Sequence, residues 1–120
     1  MGLDIYFKRV KEEEVGYFRK VNFLVSYFEI RGYDIENCKP IEVSEDDILE
    51  LANRCKLVLS NHQLASEILP TTSGFFFGST DYDEYYFQDV EEVLKYCTDV
   101  LLPEFEKLED DEYIVFKIWY

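Results

Sequence analysis

The chain has 120 residues, a length typical of one domain, and we expect residues 1–120 to fold as a single unit. Hydrophobic residues make up 48% of it and aromatic residues 18%, which excludes a disordered chain even at a formal net charge of −14. Such a charge argues against direct binding to nucleic acid and to anionic membranes, and it favours a protein partner with a basic surface.

The negative charge is concentrated in the C-terminal third of the chain. Residues 1–33 carry a net charge of +1 and residues 34–120 a net charge of −15. The segment 81–112 holds 13 acidic side chains against Lys95 and Lys107, a net charge of −11. One interpretation is a solvated face that keeps the protein soluble. The other is a surface that attracts a basic partner, such as a protein groove built to hold nucleic acid.

The cysteines and the N-terminus indicate a soluble intracellular protein. Cys38, Cys55 and Cys97 are widely spaced with no C-x-x-C motif, so we expect free thiols in a reducing cytosol. His62 is the single histidine and lies far from each cysteine, so we predict no metal and no cofactor. The N-terminus lacks the pattern of a signal peptide, and no apolar run approaches the ~20 residues that span a membrane.

The first third of the chain predicts a strand followed by a long helix. Residues 3–10 are rich in β-formers and alternate, with Ile5 and Phe7 on one face. The acidic residues 12–14 favour a helix start, and Gly32 favours its end. We expect Arg19, Lys20 and Asn22 either to form a solvated face of this helix or, for Arg19 or Lys20, to pair with carboxylates at 81–84.

The middle of the chain predicts a short edge strand and two more main helices. Residues 41–43 follow Pro40, which permits only an edge strand there. Ser44 and Asp47 predict a capping box for a helix with an apolar stripe from Ile48 to Leu59. Residues 63–69 predict a short helix. Asp83 or Thr80 is expected to cap the last main helix, which Pro103 ends or turns into a new short turn.

The final residues, 113–120, give the clearest strand pattern in the chain. A chain that begins and ends in aromatic strands is expected to pair them in one sheet, which needs helices on one face for stability. The predicted fold is therefore α+β, with three main helices packed on a small antiparallel sheet formed by the N- and C-terminal strands.

The stretch Pro70 to Phe87 is the most unusual part of the sequence. Three phenylalanines lie between Gly74 and Gly78, and an acidic and tyrosine-rich run follows them. Its rings either fill the core, line a pocket with carboxylates at its mouth, or form a protein-binding patch. The candidate ligand- or partner-binding residues are Arg19, Phe76, Thr80, Asp81, Asp83, Glu84 and Tyr86.

Known catalytic motifs are absent from the sequence. It contains no nucleophile elbow, P-loop or dinucleotide fingerprint. Asp81 and Asp83 imitate the start of a calcium loop, but Tyr85 occupies the next oxygen position. No catalytic residue is therefore assigned, and binding is favoured over catalysis.

Four parts of the sequence carry a resemblance to a known group of proteins. These are the opening Met-Gly-Leu-Asp-Ile-Tyr, the stretch Tyr17 to Asn22, the run Leu69 to Phe87, which is the most specific, and the closing strand pattern. Together they resemble a family of small uncharacterised proteins encoded by bacteriophages and prophages. The resemblance implies no catalytic residues. It implies the cytoplasm of a bacterial host, where small acidic phage proteins bind host or phage factors, some by imitating nucleic-acid charge.

These observations predict an interaction protein that binds a host or phage factor, either as an inhibitor or as a mimic of nucleic-acid charge. The alternative is a small-molecule-binding protein or minor enzyme that uses an aromatic and carboxylate pocket around residues 70–87. A third hypothesis is a homo-oligomeric assembly component that pairs through its last strand, with Trp119 and Tyr120 exposed.

Overall fold

A computed structural model describes residues 2–9, 13–74 and 77–120 of the chain. Its centre is an antiparallel sheet with the strand order β2-β1-β4-β3. The strands are β1 (Asp4–Arg9), β2 (Glu13–Arg19), β3 (Ile41–Val43) and β4 (Ile114–Trp119). The predicted α+β class is confirmed, as is the pairing of the first strand with the last. The sheet also includes β2 and the short edge strand β3.

One face of the sheet carries the helices, and the other lies open. Alternation places Leu3, Ile5 and Phe7 of the first strand on the covered face, where all three are buried. Phe7 packs against Phe116 of β4 and Phe28 of the first helix, with ring centroids 5.5 and 6.3 Å away. Burial of these apolar surfaces supplies most of the driving force for folding.

The helices follow from caps and apolar stripes in the sequence. They are α1 (Phe23–Ile30), α2 (Glu45–Ser60), α3 (Ala65–Ile68), α4 (Glu84–Tyr96) and α5 (Leu102–Lys107). The main chain forms a 3₁₀ turn at His62–Leu64 and a π-helical turn at Cys97–Leu101. Pro103 lies in the first turn of α5, where a missing N–H is tolerated.

The predicted helix caps are confirmed. Ser44 and Asp47 form a reciprocal capping box at the start of α2. Asp83, rather than Thr80, caps α4 by accepting a hydrogen bond from the N–H of Tyr86. Gly32 takes a positive φ of 101° after α1, as a helix C-terminus often requires.

The prediction of one long helix from residue 11 to Gly32 is wrong over its first half. Residues 13–19 form β2, and α1 begins only at Phe23. Val15, Phe18 and Val21 match helical spacing by coincidence, because Gly16 and Phe18 face inward in the strand and pair with Phe7 and Ile5. Pairing with β1 outweighs a local periodicity that short segments specify weakly.

Gly16 of β2 makes room for the ring of Tyr96 from α4. A Cβ at position 16 would lie 2.1 Å from Tyr96 Oη and 2.4 Å from its Cζ. We expect Gly16→Ala to destabilise the fold by about 1–3 kcal/mol in chemical denaturation, as overpacking does. In a Tyr96→Ala background the same change should have little effect or stabilise slightly. Equal losses in both backgrounds would contradict this explanation.

Candidate functional site

The turn between β2 and α1 holds two cations at the end of the sheet. Lys20 adopts a left-handed φ of 58°, and its N–H donates to the Leu3 carbonyl at 2.8 Å. A Cβ on Gly2 would lie 3.1 Å from Lys20 Cε and 3.4 Å from Arg19 Nε, so both side chains lie against Gly2. The Arg19 and Lys20 side chains are exposed.

Asn22 anchors the loop that faces this turn. Its side chain is buried, with 3% relative exposure. The Nδ2 group donates to the carbonyls of Phe77 at 3.0 Å and Ser79 at 2.9 Å, and Oδ1 accepts from the Thr72 N–H at 3.1 Å. One amide therefore holds both arms of the loop 72–79, and its buried polar groups are satisfied.

The second arm of that loop leads into α4. Gly78 adopts a φ of 88° and lies against the Lys20 stem, so a glycine is required there for two reasons. Ser79 Oγ accepts a hydrogen bond from the Asp81 N–H at 3.1 Å. Asp83 Oδ1 accepts from the Tyr86 N–H at 3.1 Å. These bonds orient the acidic residues that begin α4.

A cavity of about 250 Å³ lies between the β2–α1 turn and the start of α4. We name it the turn cavity. Cations border it from the sheet side, carboxylates border it from the helix side, and aromatic residues form part of its wall. Its lining residues are Arg19, Lys20, Val21, Asn22, Phe23, Thr71, Gly78, Ser79, Asp81, Asp83, Tyr85, Tyr86 and Asp89.

The charges around the turn cavity do not neutralise one another by contact. Ion pairs between described residues lie elsewhere, for example at Arg31–Asp47 and Arg54–Glu50, and none of them joins Arg19 or Lys20 to Asp81, Asp83 or Asp89. The pairing predicted for Arg19 or Lys20 with the carboxylates at 81–84 is therefore not formed among the described residues.

Asp89 is the carboxyl group whose environment is most altered. Burial, with a smaller contribution from the nearby carboxylates of Glu92 and Asp83, raises its pKa to about 6. The group is therefore partly protonated near neutral pH, unlike an exposed aspartate.

This raised pKa makes a testable prediction about stability. A carboxyl with a raised folded-state pKa lowers stability because the unfolded chain ionises first, so the penalty builds up as pH rises from about 4 to about 6 and is full above about 6. We expect Asp89→Asn to stabilise the protein by about 1 kcal/mol at pH 8, after allowance for solvent screening. Thermal melts at pH 3.5, below the unfolded pKa, should show almost no such gain, and a gain that does not depend on pH would contradict the assignment.

Four of the seven predicted site residues line the turn cavity: Arg19, Asp81, Asp83 and Tyr86. Tyr86 contributes its ring only, because its hydroxyl donates to the Leu69 carbonyl at 2.7 Å. Thr80 and Glu84 do not line the cavity. Phe76 lies outside the described residues. Its neighbour Phe77 is buried and packs against Tyr120, with ring centroids 5.1 Å apart.

Sequence reasoning gave no site role to Asn22 or Asp89, and it left the place of Lys20 open. Asn22 was expected to be solvated with Arg19 and Lys20, yet it is buried. An asparagine between Val21 and Phe23 is a signal that was available, since a polar residue in an apolar run needs buried partners. Lys20 was expected either on a solvated face or beside the carboxylates at 81–84, and it lines the cavity together with Asp81 and Asp83. Asp89 was missed because only the folded chain brings it to the β2–α1 turn.

A shallower cleft lies on the outer side of α4. It is lined by His62, Tyr82, Asp83, Glu84, Phe87, Gln88 and Glu91. The His62 ring stacks on Phe87 with centroids 3.7 Å apart. Glu84 therefore belongs to this outer cleft, although it follows Asp83 directly in the sequence.

Comparisons with family models, with curated proteins and with solved structures found no match to this chain. The resemblance to phage-encoded proteins thus stays a prediction, and so does the cytoplasmic setting it implies. No helix within residues 2–9, 13–74 and 77–120 has the length and apolar character needed to cross a membrane.

Proposed function

We propose that the protein binds a small polar ligand in the turn cavity. The observation that supports this most directly is the convergence of two cations and three carboxylates on one cavity without mutual ion pairs. Ligand sites combine apolar walls with a few convergent polar groups, and Phe23 and Tyr86 provide apolar wall here. Binding alone is proposed, and no residue is given a catalytic role.

The cavity is also held in shape before any ligand arrives. Asn22 fixes the loop 72–79, Asp83 caps α4, and Tyr86 is buried and bonded to Leu69. Preorganised groups lose little conformational entropy when a ligand binds, so more of the interaction energy appears as affinity.

A thermal-shift screen with small polar metabolites tests this function. At least one compound should stabilise the wild-type chain, since a ligand at 100 times its Kd adds about 2.7 kcal/mol. The double variant Asp81→Asn and Asp83→Asn should lose that stabilisation but keep its fold, because asparagine also caps helices. Glu84→Gln is the matched control, since Glu84 does not line the turn cavity, and it should respond like wild type. Hits that stabilise all three proteins equally would overturn the proposal.

A second candidate function is binding of a protein with a basic surface. The observation that favours it is that the acidic side chains of α4, α5 and the following loop are largely exposed. The described charges of the open sheet face are mixed, because Lys8 and Lys117 lie there with Asp4 and Glu42, and Arg19 at the end of β2 also lines the turn cavity. The negative charge therefore belongs to the helical layer, and a basic partner would approach that side.

Two charge-matched variants test the second candidate. The first carries Glu91→Gln, Glu106→Gln and Asp110→Asn on the helical side. The second carries Asp34→Asn, Glu36→Gln and Glu42→Gln elsewhere on the surface. In pulldowns from bacterial lysate at low salt, only the first should lose a bound partner, and binding should weaken steeply as salt is raised. Equal losses in both variants, or binding that is indifferent to salt, would contradict the candidate.

A further inference from the structure

The arrangement of charge in the turn cavity defines the chemistry of its ligand, and this inference rests on the proposed function. We infer that the cavity binds a small zwitterion, an α-amino acid with an apolar side chain. Its carboxylate would meet Arg19 and Lys20, and its ammonium group would meet Asp81 and Asp83. Arg19, Lys20 and Asp81 would then gain charged partners that the described residues do not supply, and Asp83 would use the oxygen that does not cap α4.

Ligands with charge of one sign fit the cavity poorly. A phosphate or other simple anion would meet Arg19 and Lys20, but it would also face three carboxylates in a strongly acidic protein. A simple cation such as a polyamine would be drawn by the net charge, yet it would be placed against the two cations. Like charges brought together without solvent are costly, so a ligand with both signs at separate ends is the better complement.

The anion-binding end lies at the β2–α1 turn. Arg19 presents a planar guanidinium that can donate two parallel hydrogen bonds to a carboxylate. Lys20 reaches the same cavity from the adjacent position, and its stem lies against Gly2 and Gly78, where a side chain would crowd it. The two glycines therefore allow a close approach of the cationic side chains to the loop.

The cation-binding end lies at the start of α4. Asp83 uses Oδ1 to cap the helix, and its second oxygen is available for an ammonium group. Asp81 is exposed at the mouth of the cavity, and Asp89 lies on the cavity side of α4. An ammonium group donates three hydrogen bonds, which suits a set of carboxylate oxygens at different positions.

The size and walls of the cavity favour an amino acid over a larger zwitterion. Its volume of about 250 Å³ is below the range for drug-sized ligands, which begins at about 300 Å³. The rings of Phe23, Tyr85 and Tyr86 contribute to the walls. An apolar side chain could bury surface against these rings while both charged ends remain paired.

Calorimetric titration with three matched probes tests the inference. The probes are leucine, N-acetyl-leucine, which lacks the ammonium group, and leucinamide, which lacks the carboxylate. Leucine should bind the 120-residue chain at millimolar concentration, and each blocked probe should bind at least about tenfold more weakly, since it loses one charge-assisted contact. A second set built on phenylalanine repeats the comparison. If neither amino acid binds, or if a blocked probe binds as well as its parent, the inference is overturned.

A variant at each end separates recognition from folding. Arg19→Gln should weaken the binding of leucine about tenfold. It should leave the binding of leucinamide unchanged, because leucinamide has no carboxylate to lose a partner. Asp81→Asn should weaken the binding of leucine about tenfold and leave the binding of N-acetyl-leucine unchanged, because N-acetyl-leucine has no ammonium group to lose a partner. A loss of fold would change every probe alike. The metabolite screen could instead yield a compound that carries charge of one sign and whose binding depends on Asp81 and Asp83. That result would overturn the inference that the ligand is a zwitterion, but it would leave the proposed function intact.

Discussion

Asn22→Asp is expected to destabilise the protein by about 3–5 kcal/mol at pH 7. The change replaces a donor by an anionic oxygen at the position that now donates to the carbonyls of Phe77 and Ser79. The buried Phe77 carbonyl and the partly buried Ser79 carbonyl would lose their donor, at about 1–3 kcal/mol each, and a charge would be placed against them. Urea denaturation of the two proteins at the same pH measures the loss.

The loss should also depend on pH in a defined direction. A carboxyl beside two carbonyls has a folded-state pKa above its unfolded value, so the penalty is full at high pH and shrinks as the group is protonated. The difference between the two proteins should therefore narrow as pH falls toward 4. Asn53→Asp, on the exposed side of α2, is the matched control and should change stability by no more than about 0.5 kcal/mol. An Asn22→Asp protein as stable as this control would show that the loop is anchored by other contacts.

Asp47→Ala is expected to destabilise the protein by about 3 kcal/mol. Asp47 is buried and accepts from the Ser44 N–H at 2.9 Å, from Arg31 Nε at 2.9 Å and from the Tyr33 hydroxyl. Loss of the capping box costs about 1 kcal/mol, and hydrogen bonds to a charged group are worth about 1.5–3 kcal/mol. The Arg31 side chain is 32% exposed, so water relieves part of the penalty once its partner is removed.

Acid should remove the contribution of Asp47. Burial by itself would raise the pKa of this carboxyl, but hydrogen bonds from Ser44, Tyr33 and Arg31 outweigh burial and lower it below the usual value. A lowered pKa contributes stability that is full above the unfolded pKa of about 4 and is lost as pH falls through the folded value. The gap between wild type and Asp47→Ala should therefore be largest near neutral pH and close in strong acid.

Asp46→Ala provides the comparison for this experiment. Asp46 is the exposed neighbour in the same first turn of α2, so it shares the helix dipole without the buried hydrogen bonds. Its removal should cost no more than about 1 kcal/mol. If the two variants lose the same free energy of unfolding, Asp47 stabilises the protein only through its interaction with the helix dipole. Its hydrogen bonds with Arg31 and Tyr33 would then add nothing.

The raised pKa of Asp89 links stability to the proposed binding. Removing its charge should stabilise the empty protein above pH 6, although the same charge would help to hold a ligand's ammonium group. A site that stays destabilised without its ligand is common where function and stability compete. The Asp89→Asn protein should thus melt at a higher temperature at pH 8 and gain less from leucine than wild type does.

The amino-acid sequence alone determined the features that depend on neighbouring residues. The caps at Ser44, Asp83 and Gly32 were predictable because a cap is formed by a few consecutive residues. The strands at both ends of the chain were predictable because their alternation separates a buried face from an open one. The charge of the segment 81–112 needs only a count of its residues.

Only the tertiary structure decided what happens between residues far apart in the chain. Residues 13–19 form a strand because β1 supplies their hydrogen-bond partners, and helical spacing within the segment does not reveal a partner elsewhere. Asn22 and Phe77 are 55 positions apart, yet one hydrogen bond joins them. The turn cavity exists because Asn22 holds the loop 72–79 beside the β2–α1 turn, which brings Asp81, Asp83 and Asp89 to the same cavity as Arg19 and Lys20. That juxtaposition depends on the folded backbone, so local sequence patterns could name its residues but could not place them around one cavity.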